Sequence, residues 1–345
     1  MKRTVCIRVD GSANIGTGHV IRCLALAKEL AQTGFKIVFC TKDFDSNLIN
    51  RIISSGFKVS VMPAGVSLEE DMQYFTNLGK KHNADIVITD NYHFIDSYQK
   101  YLKENFRFLI SIDDIAETFF YSDILINQNI NATPEIYKNK ISKWTKMFLG
   151  PTYALLMPEF KEYHNYPRNF DKVKNIIITF GGGDPQNLTF KVLKILDSIE
   201  ADFSITVVIG MTNNNKENII KYAGRAKREI DIKENVSNSI MAELILKADI
   251  AIGAGGSTSW EFCCLGVPFI IIFFADNQKG VAEGLHKRGI AINLGYYKYL
   301  TENDIKETVE RLIENHSRRQ LMSLKGREVV DGLGARRIVD EIIKL

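Results

Sequence analysis

The chain alternates short apolar runs with segments in which apolar residues recur every three or four positions. Runs rich in β-branched residues predict strands, and the three-to-four-residue spacing predicts amphipathic helices. In the first half, the predicted strands are residues 4–9, 36–40, 58–62, 85–89, 108–112 and 123–126. The predicted helices are residues 19–32, 47–54, 69–82 and 94–104. Because strands and helices alternate, the pattern predicts a parallel sheet covered by helices on both faces.

The alternation stops between residues 150 and 174, where three prolines and several polar residues predict a linker. It then restarts, with predicted strands at residues 175–180, 204–209, 230–233, 250–253 and 269–273. Predicted helices lie at residues 188–198, 239–247, 258–265 and 279–288, and helical patterns fill residues 301–345. A chain of 345 residues is long enough for two domains of roughly 150 residues each. We therefore expect an N-terminal α/β domain over residues 1–155 and a C-terminal one over residues 156–345.

Composition and charge narrow the class of ligand. The hydrophobic fraction of 45% and the charged fraction of 25% are those of a globular protein in water. The net charge of +3 is small for this length, which argues against a dedicated nucleic-acid binder with a basic face. A small anion remains possible, because helix N-termini bind anions without any net charge on the protein.

Location is predicted from the apolar stretches and the cysteines. The most apolar stretch, residues 267–274, is too short to span a bilayer, and no secretory signal precedes the first strand. The five cysteines form no C-x-x-C pair, so we expect reduced and mostly buried thiols. The sequence therefore predicts a cytoplasmic protein that does not insert into membranes.

The first candidate site is the loop between the first strand and the first helix, where the sequence reads RVDGSANIGTGHVIRC over residues 8–23. Gly16 and Gly18 would let the backbone approach a substrate closely. His19 lies at the helix mouth, and imidazole is the side chain that most readily takes a proton near neutral pH. Two interpretations remain open from spacing alone: a catalytic base, or a histidine that caps the helix or packs locally.

The second candidate is the turn FGGGDPQNLT at residues 180–189, which follows the first strand of the second half. Three consecutive glycines are entropically costly, so close approach of a ligand to Gly182 and Gly183 is favoured over a purely structural turn.

The third candidate is the segment IGAGGSTSWEFCCLGVP at residues 252–268. Here Gly255 and Gly256 precede Ser257 and Thr258, whose hydroxyls can bond phosphate oxygens beside the N–H groups of a new helix. Glu261 can accept hydrogen bonds from a ribose diol. The structural alternatives are an N-cap for Ser257 and a capping-box role for Glu261. The neighbouring Trp260, Cys263 and Cys264 are expected to be core residues.

Two acidic pairs are weaker signals. Asp43 and Asp45 lie in a polar segment and favour a solvated turn over a metal site. Asp113 and Asp114 end a strand and are expected to orient other groups. We therefore predict no metal site.

The three glycine segments, in this order, resemble the hydrolases of the pseudaminic acid pathway. These belong to the GT-B-like structural group that includes the MurG-type glycosyltransferases. The first motif is matched by Arg8, Asp10, Ser12 or Ala13, Ile15, Gly16, Gly18, His19, Arg22 and Cys23, and the third reads GAGGSTSWE without a break from Gly253 to Glu261. Similar shorter pieces are DNY at residues 90–92, IDD at 112–114, NQN at 127–129 and DNQ at 276–278.

The resemblance implies a fold and an activity. The fold would be two Rossmann-like α/β domains facing a central cleft, with UDP bound mainly by the C-terminal domain. His19 matches the histidine that activates water, and Tyr92, Asn277 and Gln278 match positions that line the sugar or the catalytic site. Water would attack the anomeric carbon of a UDP-linked 2,4-diacetamido-2,4,6-trideoxy sugar with inversion, which releases UDP and the free sugar. Because UDP is a good leaving group, a single base is sufficient and no cofactor is expected.

Three other functions share these features, and one of them is a related hydrolase that acts on a different UDP-sugar. A GT-B glycosyltransferase would use the same nucleotide site and pass the sugar to an acceptor other than water, since fold does not determine function. An inactive nucleotide-sugar-binding module would also keep the nucleotide site, although it would not need His19.

Overall fold

The computed structural model describes residues 3–11, 16–42, 46–63 and 65–345. The chain forms two compact units, one made of residues 1–157 with 333–345 and the other of residues 158–332. Both have a parallel sheet that is flanked by helices.

The strands in chain order are β1 (Thr4–Val9), β2 (Lys36–Thr41), β3 (Lys58–Val61), β4 (Ala84–Asp90), β5 (Phe108–Ile112), β6 (Ile124–Asn127), β7 (Lys146–Leu149), β8 (Asn175–Thr179), β9 (Ser204–Ile209), β10 (Ile230–Glu234), β11 (Ile250–Gly253), β12 (Phe269–Phe273) and β13 (Ala291–Tyr296). The α-helices are α1 (Gly18–Gln32), α2 (Ser46–Ser54), α3 (Leu68–Lys81), α4 (Asp96–Asn105), α5 (Pro158–Glu162), α6 (Leu188–Asp197), α7 (Lys216–Ala223), α8 (Asn238–Lys247), α9 (Thr258–Leu265), α10 (Asp276–Lys287), α11 (Glu302–Glu314), α12 (His316–Val329) and α13 (Gly334–Ile342). Short 3₁₀ helices cover Pro134–Tyr137, Pro151–Tyr153 and Tyr297–Tyr299.

The two sheets share one strand order. The first unit has β3-β2-β1-β4-β5-β6-β7, and the second has β10-β9-β8-β11-β12-β13. Both begin with the doubly wound 3-2-1-4-5-6 order, in which the direction of winding reverses between the first and fourth strands. Ligands of such sheets bind at the carboxyl ends of the strands beside this reversal. The loops expected to bind ligands therefore follow β1 and β4 in the first unit, and β8 and β11 in the second.

The apolar runs form the central strands because these strands are covered on both faces. All six residues of β1 and all five of β12 are buried. In the second unit, β8, β9, β11 and β12 supply the centre of the core, against which α6 and α11 pack. Parallel strands buried on both faces read as continuous apolar runs, so this part of the fold follows directly from the sequence. The five cysteines are free and buried, which confirms that prediction.

The structure adds four strands or α-helices that the pattern does not predict: β7, α5, α7 and β13. Strand β13 contains Asn293 and Gly295, which are poor strand formers, and it is held by pairing with β12. Strand β7 is an edge strand of four residues with its first residue exposed. Tertiary pairing overrides weak local preference in both cases.

The C-terminal helix differs from the sequence-based domain assignment. The sequence assigns residues 156–345 to the second domain, whereas residues 333–345 belong to the first unit. Helix α13 buries Ile338, Val339 and Ile342 and packs against α1. A Cβ at Gly334 would lie 2.3 Å from the carbonyl oxygen of Ala154, so glycine is needed for this close approach. The pattern shows that the helix is amphipathic, but not which sheet it covers.

The buried Arg319 closes the C-terminal end of α11 in the second unit. Arg319 is 1% exposed, and its guanidinium donates to the carbonyl oxygens of Leu312 (2.8 Å) and Ile313 (2.5 Å) at the end of α11 and to that of Phe170. The last carbonyls of a helix have no partner within the helix, so these bonds satisfy groups that would otherwise be buried and unpaired.

We expect Arg319→Met to lower the free energy of unfolding by about 2–4 kcal/mol, because one buried and two partly buried carbonyls lose a charged donor. Chemical denaturation with circular dichroism measures this change. Arg311→Met is the control, because Arg311 lies on the surface of α11 in an ion pair with Glu307, and such pairs contribute about 1 kcal/mol or less. Equal losses in the two variants would contradict the role given to Arg319.

None of the helices in the described residues combines the length and apolar character needed to cross a membrane.

Candidate active site

His19, at the start of α1, lies at the winding reversal of the first unit. Helix α1 begins at Gly18, shortly after β1 ends, and Asp90 is the last residue of β4. Strands β1 and β4 pair directly, with Val9 opposite Asp90. The topology therefore places the helix mouth and the carboxylate at the same sheet edge.

His19 pairs with Asp90. The Nδ1 atom of His19 lies 2.6 Å from Oδ1 of Asp90, and both side chains are buried. Thr17 occupies the N-cap position of α1, and its side chain makes no capping bond. His19 is therefore not the cap of its helix, and its ring is held by a partner 71 residues away in the sequence.

The contacts determine which ring nitrogen can accept a proton. An ionised carboxylate only accepts hydrogen bonds, so a contact of 2.6 Å requires that Nδ1 carries the hydrogen and donates it to Asp90. The Nη2 atom of Arg22 lies 3.0 Å from the same Nδ1 and is also a donor, so that contact is not a hydrogen bond. Nε2 is left as the unprotonated nitrogen of the neutral ring. This is the arrangement of a general base oriented by a carboxylate.

Arg22 keeps Asp90 ionised. Its Nε donates to Oδ2 of Asp90 and its Nη2 to Oδ1, both at 2.6 Å. Burial alone would raise the pKa of the Asp90 carboxyl, but the charge of Arg22 and the hydrogen bonds from Arg22 and His19 hold that pKa below its ordinary value. Asp90 therefore orients the imidazole without taking a proton from it at neutral pH.

Tyr92 stands over the imidazole. Its ring meets the His19 ring edge to face, with the centroids 4.9 Å apart, and 40% of the residue is exposed. The Tyr92 hydroxyl donates to Oδ2 of Asp114 at 3.3 Å. The structure thus brings the predicted residues His19 and Tyr92 together.

Gly16, which precedes α1, is required by its backbone conformation. Gly16 has φ +89°, a conformation that other residues rarely adopt, and nothing lies within 4 Å of the position of a Cβ. Gly18 is the first residue of the helix. Residues 12–15, which complete this motif, lie outside the described residues.

A second buried network anchors the end of β1. Arg8 donates to both carboxylate oxygens of Asp10 and of Asp71, at 2.5–3.0 Å. The Tyr98 hydroxyl donates to Asp71 at 2.7 Å, and Nε2 of His93 lies 3.6 Å from Asp10. The Arg8 and Asp10 of the first motif therefore fix the strand from which the His19 loop departs.

The acidic pairs take different roles. The Asp113 carboxylate accepts from the Tyr137 hydroxyl (2.5 Å) and from the N–H of Ala116 (2.8 Å), so it shapes the turn after β5. Burial raises the pKa of Asp113. Asp114 pairs with Arg22. Asp43 and Asp45 lie outside the described residues.

In the glycine turn after β8, Gly181 and Asp184 have structural roles. Gly181 has φ +81°, and the carbonyl oxygen of Gly182 accepts from both the N–H and the hydroxyl of Thr212 at 3.0 Å. The Asp184 carboxylate accepts from the N–H groups of Leu188 and Thr189, both at 2.8 Å, so Asp184 caps α6. Gly181 is thus explained by backbone geometry, whereas nucleotide contact at Gly182 and Gly183 stays a prediction.

The turn after β11 leads into α9. Ser257 occupies the N-cap position, yet its side chain makes no capping bond. Because α9 begins at Thr258, the capping-box position is Trp260, and Glu261 is one residue too far along. Nothing lies within 4 Å of a Cβ position at Gly256. These features leave the ligand-binding interpretation of Ser257, Thr258 and Glu261 in place. Trp260, Cys263 and Cys264 are buried, as predicted.

The start of α10 lies beside this turn. A Cβ at Gly255 would lie 2.9 Å from the carbonyl oxygen of Gln278, so Gly255 is required for the two segments to pack. The side chain of Gln278 accepts from the N–H of Phe274 at 3.0 Å and holds the turn between β12 and α10. Asn277 is exposed at the same helix mouth. The second unit therefore groups Gly255, Gln278 and Asn277, while Gln278 has a structural task of its own.

Arg22, Asp90 and Asp114 complete the site in the first unit. The sequence pattern predicts no role for Arg22 or Asp90, and predicts only that Asp114 orients other groups. In the sequence, Asp90 and Asp114 are carboxylates near strand ends that belong to the short pieces DNY and IDD. Their convergence on α1 depends on the order β1-β4-β5, in which Asp90 lies opposite both Val9 and Ile112.

Comparison with known proteins supports the fold. MurG of Acinetobacter baumannii superposes with a TM-score of 0.71 over 100% of both chains at 17% identity. The chain has the MurG fold. This confirms the predicted class of two Rossmann-like α/β domains. Residues 176–336 match the Glycosyltransferase family 28 C-terminal domain.

Two relatives are similar in sequence. An uncharacterized protein of Methanocaldococcus jannaschii is 33% identical over 287 residues, which are 80% of this chain and 56% of that protein, so the chain spans about half of this relative's length. The UDP-2,4-diacetamido-2,4,6-trideoxy-beta-L-altropyranose hydrolase of Campylobacter jejuni is 26% identical over 296 residues, which are 86% of this chain and 99% of that enzyme.

Proposed function

We propose that the protein hydrolyses a UDP-linked 2,4-diacetamido-2,4,6-trideoxy sugar at its anomeric carbon, with inversion. The observation that carries this proposal is the His19–Asp90 pair, which leaves Nε2 of a buried imidazole able to accept a proton. The similarity to the Campylobacter jejuni hydrolase, which extends over 99% of that enzyme, supports the choice of substrate.

In the proposed reaction, Nε2 of His19 takes a proton from water while the water oxygen bonds to the anomeric carbon. The bond from that carbon to the β-phosphate oxygen breaks, and its electron pair leaves with UDP. The imidazolium that forms is stabilised by Asp90. Because the leaving phosphate is already a weak base, the reaction needs no second carboxylate as a general acid.

The nucleotide is assigned to the second unit. The N–H groups at the start of α9, with the hydroxyls of Ser257 and Thr258, would bind the diphosphate, because a helix N-terminus attracts anions. Glu261 would accept hydrogen bonds from the ribose. Gly182, Gly183, Gly255 and Gly256 would let backbone approach the nucleotide, whereas Gly16, Gly18, Tyr92, Asn277 and Gln278 would contact the sugar.

We expect Glu261→Ala to weaken UDP binding about tenfold, the value of one charged hydrogen bond. Calorimetric titration of UDP measures this, and turnover at saturating substrate should change little. Glu243→Ala on the neighbouring helix α8 is the control, because Glu243 is exposed there. A loss of turnover with unchanged UDP affinity would rule out the ribose role.

A transferase is the second candidate, favoured by the match of residues 176–336 to the family 28 glycosyltransferase domain. Purified protein is incubated with the UDP-sugar and no acceptor, and UDP and free sugar are followed by NMR. Prompt release of both supports hydrolysis. Release of UDP only after an acceptor is added supports a transferase, and binding without turnover supports a nucleotide-sugar-binding module.

A further inference from the structure

Asp114 contacts both Arg22, which lies beside the proposed base His19, and Tyr92. Its carboxylate accepts from Nη1 of Arg22 at 2.8 and 2.9 Å, and from the Tyr92 hydroxyl at 3.3 Å. The amide of Asn129 donates to the backbone carbonyl of Asp114 and to Oδ1, both at 3.3 Å. The side chain of Asp114 is 11% exposed. One carboxylate therefore holds both the arginine behind His19 and the tyrosine over it.

The charges explain why a second carboxylate matters. Asp90 is the anion that His19 contacts, but Arg22 is bound to the same carboxylate through two hydrogen bonds and offsets its charge. Without Asp114, the imidazolium formed during the reaction would face a neutral pair. With Asp114, two carboxylates surround one guanidinium, and one net negative charge remains to stabilise the imidazolium.

We propose that Asp114 is a positioning residue for the hydrolysis. It fixes Arg22 and Tyr92 around His19, and its negative charge compensates for the charge of Asp90 that Arg22 offsets. This inference rests on the proposed function. Asp114 acts through its neighbours, because its side chain contacts Arg22, Tyr92 and Asn129.

The test compares Asp114→Asn with the wild type in two measurements. In steady-state kinetics, we expect kcat to fall about 10–100-fold, the usual effect of losing an orienting partner, with a smaller change in KM. In NMR spectra of protein labelled with ¹⁵N-histidine, we expect the ring nitrogen signals of His19 to shift, because Arg22 beside the ring loses a charged partner, whereas the Nδ1–H that Asp90 fixes should be kept. The His19 signal is assigned by its absence from the His19→Gln spectrum.

Two further variants separate position from stability. Glu117→Gln removes an exposed carboxylate three residues along the same loop and should leave kcat and the His19 signals unchanged. Asp114→Glu keeps the charge and should recover part of the lost kcat. Thermal unfolding of each variant checks that the protein is folded.

The proposal is overturned if Asp114→Asn keeps kcat within twofold of the wild type, or if it leaves the ring nitrogen signals of His19 at their wild-type positions. Failure of the proposed function has a different signature, namely that the wild type itself turns over no UDP-sugar. The NMR comparison needs no substrate, so it still decides whether Asp114 controls the state of His19.

Discussion

His19→Gln should reduce turnover of the UDP-sugar about 10²–10⁴-fold, the contribution of a well-placed general base. The substitution leaves a polar side chain at the mouth of α1 but removes the nitrogen that accepts the proton of water. UDP affinity should stay within about twofold of the wild type, because UDP binding is assigned to the second unit. Stopped assays of UDP release and calorimetric titration of UDP measure the two quantities.

The matched control is His316→Gln, which changes an exposed histidine at the start of α12 and should alter neither quantity. If His19→Gln retained turnover, the base would have to be another group. If it lost UDP binding and turnover together, the assignment of nucleotide binding to the second unit would be wrong.

Asp90→Asn is expected to have the second-largest effect. Asparagine can donate an N–H to Nδ1 of His19, which would favour the tautomer whose Nε2 carries the hydrogen and cannot act as a base. Where a carboxylate orients a catalytic histidine in this way, its amide variant loses about 10³–10⁴-fold in turnover. We expect a loss of about 10³-fold in kcat, with a small change in KM.

The same variant should be less stable, because Arg22 would keep only Asp114 as a charged partner. Removing one partner of a buried ion pair costs about 3–5 kcal/mol. Asp123→Asn is the control, since it breaks the partly buried ion pair with Lys103 in the same unit and should lower stability while leaving kcat unchanged. A normal kcat in folded Asp90→Asn would refute the role of Asp90 as the orienting group.

The free energy of unfolding should fall at acid pH, because protonation of Asp90 removes its ionic contribution to the folded state. The folded-state pKa of Asp90 lies below its ordinary value of 3.8, so the unfolded chain binds this proton more readily than the folded one. The contribution of the ionised Asp90 is therefore present above that value and is lost as the pH falls below it. Asp90→Asn should show a shallower loss of stability in the same acid range, measured by denaturation at each pH.

The sequence predicts the sheets well because their strands are buried on both faces. Runs of β-branched and aromatic residues such as the FIIIF of β12 are typical of strands that are buried on both faces. Strand β13 could not be predicted in this way, since Asn293 and Gly295 gain strand geometry only from pairing with β12. Helix α13 shows a second limit of sequence-based prediction. The sequence shows that one face of the helix is apolar, but the surface that this face covers is determined by tertiary packing with α1.

The site could be predicted only in part. His19 was predicted because it belongs to a long, specific motif at a helix mouth. Asp90 and Asp114 come from other strands, and their convergence on Arg22 depends on a strand order that periodicity does not reveal. Gly255 was predicted to contact a nucleotide, and the structure shows a packing reason for it, since a side chain would meet the backbone of Gln278.

The central claim is that water, deprotonated by His19, attacks the anomeric carbon and not phosphorus. It is tested most directly by running the reaction in H₂¹⁸O and analysing the released UDP by mass spectrometry and ³¹P NMR. Attack at carbon leaves every phosphate oxygen in place, so UDP is predicted to contain no ¹⁸O. Label in the β-phosphate of UDP would mean that the phosphorus–oxygen bond breaks, and it would contradict the account.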